Sequence, residues 1–128
     1  MASQGQPPVR VLVVDDSDVY RYALCAVVAA TPGFEVAGAA SSGVEALDLI
    51  DFVVTATSPQ LVLLDVLLPG LDGIEVAREI WRRHPEMVVV LLSADKKTLR
   101  EGGTLAVEDK LSVSSRWLID LWKRHSES

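Results

Sequence analysis

Residues 59–73 read PQLVLLDVLLPGLDG, and the fold is decided by how this stretch is read. Residues 60–64 form a short apolar β-type run that ends on a single carboxylate, Asp65. Pro69-Gly70 and Asp72-Gly73 then force a sharp exit. A continuous apolar run of this length suits a strand buried on both faces of a parallel sheet. Asp65 is therefore expected at the carboxyl end of a central strand, the edge at which open α/β sheets bind ligands.

Upstream, Val9–Val14 reads as a strand that stops in an acidic cluster, Asp15, Asp16 and Asp18, with Ser17 between them. Ser17 or Asp16 can cap the helix that follows to about Ala30. Tyr20, Ala23, Leu24, Val27 and Val28 give that helix a core-facing stripe, and Thr31-Pro32-Gly33 stops it. Phe34–Ala40 reads as a second strand. Ser42 and Glu45 then form a capping box for a helix with Ala46, Leu47, Ile50 and Val54 on one side. Thr57-Ser58-Pro59 turns the chain into the central run.

Downstream, a third helix is expected to carry Ile74, Ala77, Ile80 and Trp81 inward and Arg78, Glu79, Arg82 and Arg83 outward, ending at His84-Pro85. Residues 87–92 form a fourth strand that ends on Ser93. Residues 95–101 read as a short fourth helix closed by Gly102-Gly103, residues 104–108 as a weak fifth strand followed by Asp109-Lys110, and residues 115–125 as a last helix with Trp117, Leu118, Leu121 and Trp122. Five strands alternating with five helices imply an α/β fold: a doubly wound, five-stranded parallel sheet with right-handed crossovers. Residues 1–8 read as a disordered leader, 9–125 as the domain and 126–128 as a tail.

The bulk properties narrow the function. At 128 residues, 49% hydrophobic and 23% charged, the chain has the length and composition of one soluble globular domain. A net charge of −6 disfavours direct nucleic-acid binding and an anionic membrane surface. The start MASQGQPP lacks the basic and apolar regions of a signal peptide, and no apolar run is long enough to span a bilayer. The single cysteine, Cys25, cannot form an intrachain disulfide; it fits a reducing, cytoplasmic setting and reads as an inert packing residue. His84 and His125 lack partners at metal-ligand spacing and read as surface residues.

Parallel strands carry all their carboxyl ends to one edge, so Asp15 and Asp16, Asp65, Ser93 and Lys110 are expected to converge. Three neighbouring carboxylates repel one another and call for a proton or a cation. Hard oxygen donors suit Mg²⁺. Lys110, Ser93 and backbone N–H groups near Leu67 and Ala94 complete a site for a phosphoryl group on Asp65, since a carboxylate nucleophile can form an aspartyl phosphate. Helix capping explains one carboxylate of the Asp15–Asp16 pair, not both together with Asp65 and Lys110.

The set VLVVDDSD, LVLLDVLLPGLDG, VVVLLSAD and EDKLS resembles the receiver domain of bacterial two-component response regulators, over residues 9–124. The resemblance implies a flavodoxin-like strand order 2-1-3-4-5. It makes Asp65 the phosphoacceptor, loaded from a phosphohistidine on a sensor histidine kinase. Asp16 and Asp65 would bind Mg²⁺ directly, Asp15 through water and Leu67 through its backbone carbonyl. Lys110 would pair with the phosphoryl group, and Ser93 would swing towards it. The chain reads as a stand-alone receiver, regulatory rather than enzymatic, signalling to a downstream protein. The resemblance also allows a homodimer through the face of the fourth helix, fifth strand and last helix.

The chain departs from the receiver pattern on that face. The segment between Ser93 and Lys110, residues 94–109, is short, so the fourth helix must be shortened. Val107 stands where receivers usually carry Tyr or Phe, and Leu111 follows the lysine where they usually carry proline. Two other protein classes use similar groups. Haloacid-dehalogenase-type phosphohydrolases place an acid two positions after the nucleophile, where this chain has Leu67. Flavodoxins cradle a phosphate in the first loop, where Asp15, Asp16 and Asp18 would repel one. A third alternative is a receiver-like binding module that works without phosphorylation.

Overall fold

The computed structural model describes residues 7–52, 58–70, 72–94 and 106–126. Its strands are β1 (Val9–Val14), β2 (Phe34–Ala40), β3 (Leu61–Asp65), β4 (Val88–Ser93) and β5 (Ala106–Asp109). They form one parallel sheet in the order β2-β1-β3-β4-β5. The helices are α1 (Asp18–Ala30), α2 (Gly43–Phe52), α3 (Gly73–Arg83) and α4 (Ser115–Ser126), with a 3₁₀ turn at Lys110–Ser112. The predicted helix at 95–101, its glycine stop, Val54 and Thr57 lie outside the described residues.

Strand alternation divides the core in two. Leu12, Val14, Val62, Leu64 and Leu91 face α2 and α3, meeting Ala46, Ile50, Val76, Ala77 and Ile80. Val11, Val13, Leu61, Leu63, Val90 and Leu92 face α1 and α4, meeting Leu24, Val28, Trp117, Leu118 and Leu121. Every residue of β3 is buried, as the apolar run requires of a central strand.

Register sets the functional edge. Val14 pairs with Leu64, which places Asp15 level with Asp65; Asp65 pairs with Leu92, and Ser93 with Asp109, immediately before Lys110. A bulge opposite Val11 and Leu12 leaves Ala37 without a register partner and brings Ala40 alongside Val14, where the carbonyl of Ala40 accepts the Asp15 N–H at 3.1 Å.

Several boundaries and faces differ from expectation. β3 begins at Leu61 rather than Gln60, β4 at Val88 rather than Met87, and α4 runs one residue further, to Ser126. β5 ends at Asp109 rather than Glu108. Ala23 is exposed, and α1 buries Leu24 and Val28. On α3 the buried row is Gly73, Val76, Ala77 and Ile80, while Trp81 is 53% exposed. At α2 the Ser42 hydroxyl accepts the Glu45 N–H as predicted, but the Glu45 carboxylate reaches back to the N–H and hydroxyl of Ser41.

The exit from β3 shows why two glycines stand there. Gly70 has φ +82°, a left-handed turn conformation that side chains rarely adopt. Gly73 opens α3, capped by the Asp72 carboxylate, so close to the preceding chain that a Cβ would lie 2.4 Å from the Asp65 carbonyl oxygen and 2.7 Å from the Val66 Cα. These contacts are with backbone and cannot relax by a rotamer change. Gly73→Ala should therefore destabilise the fold by about 3 kcal/mol, and Gly70→Ala by only about 1 kcal/mol. Urea unfolding midpoints at constant m-value check both, and equal midpoints for the two variants would contradict the close-approach account.

Candidate functional site

The site begins with Asp65, which leaves β3 at the carboxyl edge and is only 5% exposed. The chain beyond it is fixed by the Val66 N–H, which donates to Leu92, and by the Gly73 N–H, which donates to Val66. The Leu67 N–H turns back and donates to Asp65 Oδ1 at 3.1 Å. The Leu67 side chain points to solvent, so this residue meets the site through its backbone.

On the neighbouring strand end, Asp15 is buried and Asp16 exposed. Asp15 Oδ1 accepts the Ser17 N–H at 2.8 Å, and the Ser17 hydroxyl accepts the Tyr20 N–H at 3.2 Å, so Ser17 rather than Asp16 caps α1. Arg21 braces the same turn by donating to the Asp15 carbonyl and pairing with Asp18. Asp15, Asp16 and Asp65 each offer an oxygen within 4.8 Å of the others. Among the described residues they form the one cluster of this kind, and neither histidine joins it.

Lys110 enters from the end of β5. Its Nζ lies 2.9 Å from Asp65 Oδ2, in a hydrogen bond, and 3.0 Å from Asp15 Oδ2. The second contact is an ion pair without hydrogen-bond alignment, which leaves Asp15 Oδ2 a buried acceptor with no hydrogen-bond partner. Burial alone would lower the Lys110 pKa, but the carboxylates of Asp65 and then Asp15 outweigh it and hold the ammonium above its ordinary value. Burial raises the pKa of Asp65, partly offset by Lys110 and the Leu67 N–H, with Asp15 adding repulsion. Ser93 is buried at the end of β4, one residue past the Leu92 that pairs with Asp65.

Two residues make contacts that were not foreseen in the sequence. Tyr20, expected to face the core, donates its hydroxyl to the Lys110 carbonyl at 2.5 Å, and its ring centroid lies 4.4 Å from Lys110 Nζ. Leu111 uses the N–H that a proline would lack, donating at 2.9 Å to Asp109 Oδ1 to cap the 3₁₀ turn. The histidines also correct their reading as plain surface residues. His125 Nε2 lies 2.7 Å from Glu108 Oε2, and His84 is part-buried between Asp51 and Glu86. Cys25 packs against the α1-side core, and burial pushes its thiol pKa up, which fits packing rather than reactivity.

The arrangement is an acidic pocket with one cation beside it, on the edge where the register brings the strand ends level. Formal charges of three carboxylates against one ammonium leave it two units negative, and Asp15 Oδ2, ion-paired with Lys110 but accepting no hydrogen bond, offers a ligand atom. These residues fit a hard divalent metal ion. Asp15, Asp16, Asp65 and Lys110 are thus brought together as expected, and Ser93 lies on the same edge.

Comparison with known proteins bears on the same residues. Residues 11–112 match the family described as the response regulator receiver domain. The chain is 36% identical over 115 residues to protein-glutamate methylesterase/protein-glutamine glutaminase 1 of Syntrophus aciditrophicus, covering 84% of this chain and 32% of that protein. It is 39% identical over 85 residues to response regulator GacA of Pseudomonas protegens, covering 66% and 38%. It spans about a third of the length of these curated relatives. Among solved structures, the response regulator domain of Thermotoga maritima CheB superimposes with a TM-score of 0.72 at 24% identity, covering 94% of this chain and 98% of that one. NtrX from Brucella abortus, in complex with ATP, gives 0.76 at 30% identity, covering 92% and 27%. With the strand order and the acidic pocket already in place, the family match over most of its length means that this chain belongs to the response regulator receiver domains.

Proposed function

We propose that Asp65 is the phosphoacceptor, loaded from a phosphohistidine on a sensor histidine kinase, and that the phosphorylated form signals by protein contact. The carrying observation is the meeting of three carboxylates, Asp15, Asp16 and Asp65, with the Lys110 ammonium 2.9 Å from Asp65 Oδ2. Receiver domains as a class interact with histidine kinases and downstream targets; which partners this chain has is part of the proposal. In transfer, an Asp65 oxygen lone pair forms the new bond to phosphorus. The bond from phosphorus to the histidine nitrogen breaks, and its electron pair stays on the imidazole, which leaves neutral by taking a proton from solvent. The Leu67 N–H holds Oδ1, so Oδ2 is the oxygen that faces the cation. Lys110 then follows the negative charge from Oδ2 onto the phosphoryl oxygens.

Asp15, Asp16 and Asp65, with the Leu67 carbonyl, would hold Mg²⁺, and Ser93 would donate its hydroxyl to the phosphoryl group. Bound there, Mg²⁺ supplies neutralising charge to the phosphoryl oxygens. The proposed role is regulatory; the match to the methylesterase named above covers 32% of that protein, so its activity is not carried over to this chain. The exposed surface of β5 and α4 is the proposed route of output. The class and the single cysteine support a cytoplasmic location, and among the described residues no helix is long and apolar enough to cross a membrane.

Acetyl phosphate with Mg²⁺ should add one phosphoryl group to the intact chain, read by mass, and Asp65→Asn should abolish the gain; uptake by that variant equal to wild type would refute the assignment. Lys110→Ala leaves two buried carboxylates without their cation. Without Mg²⁺ it should lose about 3 kcal/mol of stability, as when one partner of a buried pair is removed. Adding Mg²⁺ should restore most of the loss, because the ion binds only the folded site. Chemical denaturation with and without Mg²⁺ checks this, and a loss that Mg²⁺ leaves untouched would speak against the shared site.

A further inference from the structure

We propose that Tyr20 is a positioning residue for Lys110: its hydroxyl pins the Lys110 carbonyl and its ring backs the ammonium, keeping that ammonium aimed at Asp65 and at a phosphoryl group carried there. The inference deepens the phosphoacceptor reading and rests on it. Two contacts of different kinds join Tyr20 to a residue far away in sequence. One is a hydrogen bond to the backbone at 2.5 Å, and the other is a ring centroid 4.4 Å from Nζ. A core tyrosine needs only its ring for packing. This one places its half-buried hydroxyl on the backbone of the residue whose side chain enters the pocket.

The need for such a brace follows from the surroundings of Lys110. A lysine is a point charge on a flexible four-carbon stem. This lysine begins a 3₁₀ turn at the end of an edge strand and is followed by Leu111, so no proline ring stiffens its backbone. Its ionic partners, Asp15 and Asp65, are also the groups whose charge is cancelled or relocated when a cation or a phosphoryl group arrives. The attraction of the ring face does not depend on that occupancy. The hydrogen bond to the Lys110 carbonyl does not depend on it either.

Tyr20 is in turn well placed to act as the fixed end. Its N–H donates to Ser17, and the Ser17 N–H donates to Asp15, so one turn of α1 holds the acid and the aromatic in register. The receiver pattern usually carries an aromatic at Val107, on the strand that delivers the lysine. Here the aromatic in contact with the lysine comes from the opposite side of the sheet's edge, on α1.

The test uses the whole chain with acetyl phosphate and Mg²⁺, following phosphoryl uptake by mass. Tyr20→Phe keeps the ring and loses the hydrogen bond, so uptake should slow about five-fold. Tyr20→Leu loses both contacts and should slow uptake by about ten-fold or more. Mg²⁺ affinity should stay unchanged in both. In a Lys110→Ala background the Tyr20→Leu change should make no further difference, since it acts through the lysine. Variants that match wild type, or an undiminished further loss in the Lys110→Ala background, would overturn the role while leaving Asp65 as acceptor.

Side-chain NMR gives a reading independent of phosphorylation. The ring current of Tyr20 should displace the Lys110 Cε–Hε signal, and the displacement should persist in Tyr20→Phe and vanish in Tyr20→Leu. A signal that does not move in Tyr20→Leu overturns the proposal. If wild type takes up no phosphoryl group, the acceptor reading fails by itself, and the NMR measurement still decides whether Tyr20 holds the lysine.

Discussion

Asp15 and Asp65 are both buried, and one ammonium, on Lys110, lies between them. That interaction constrains everything around it. A buried carboxylate without a partner is strongly destabilising, and two side by side add mutual repulsion. The sheet must therefore deliver a cation to the same edge, and it does so from two strands away on the far side of β3. With Asp16 counted, the pocket still carries an excess of two negative charges, which a divalent cation could cancel. Folding of the pocket and binding in it are thus two answers to a single electrostatic problem.

The parallel register solves the positional half of that problem. Short apolar strands bury β3 completely, and burial on both faces forces crossovers that keep every strand pointing one way. Polar groups that terminate such strands then have only one edge to occupy. Asp15, Asp65 and Ser93 stood out in the sequence because each ends an apolar run, whereas Lys110 follows Glu108 and Asp109 and was placed only by the end of the weaker fifth strand. The shared edge was legible for that reason, whereas the strand order was implied by the resemblance to receiver domains. Helix faces were less legible. After Arg21, α1 contains no charged residue, so apolar positions surround it and no stripe is unique; Ala23 fits the expected pattern and is exposed. On α3 the expected inward residues Ile74, Ala77 and Ile80 do meet the core, while Val76 and Trp81 both satisfy helical spacing and only packing against the sheet buries the first and exposes the second.

What the sequence hid at the site has a different cause. Gly73 looked like a turn residue, yet its lack of a side chain matters because α3 starts against the backbone of Asp65 and Val66. That closeness is a distance between elements, which no local pattern encodes. Tyr20 occupied a legitimate position on a core-facing stripe. Its placement four residues after Asp16, on the first turn beyond the acidic loop, was the available signal that it stands beside the pocket. An amphipathic side chain can serve core and pocket together, its ring packed and its hydroxyl spent on a backbone carbonyl.

The departures from the receiver pattern become intelligible through these same bonds. With proline after the lysine, the 3₁₀ turn would lose the Leu111 N–H that now closes onto Asp109. Leucine therefore replaces a covalent restraint on the lysine with a hydrogen-bonded one. The Lys110 carbonyl is held from α1 by Tyr20, and the turn that follows is held by Asp109. Val107, partly buried against the α2–α3 core, has no polar end with which to sense a change at the pocket. The lysine is mechanically tied to α1, whose first turn also orders Asp15 through Ser17. Lys110 thus meets α1 through one hydrogen bond to its backbone and one ring contact to its ammonium, whereas Val107 offers it no polar or aromatic group to engage.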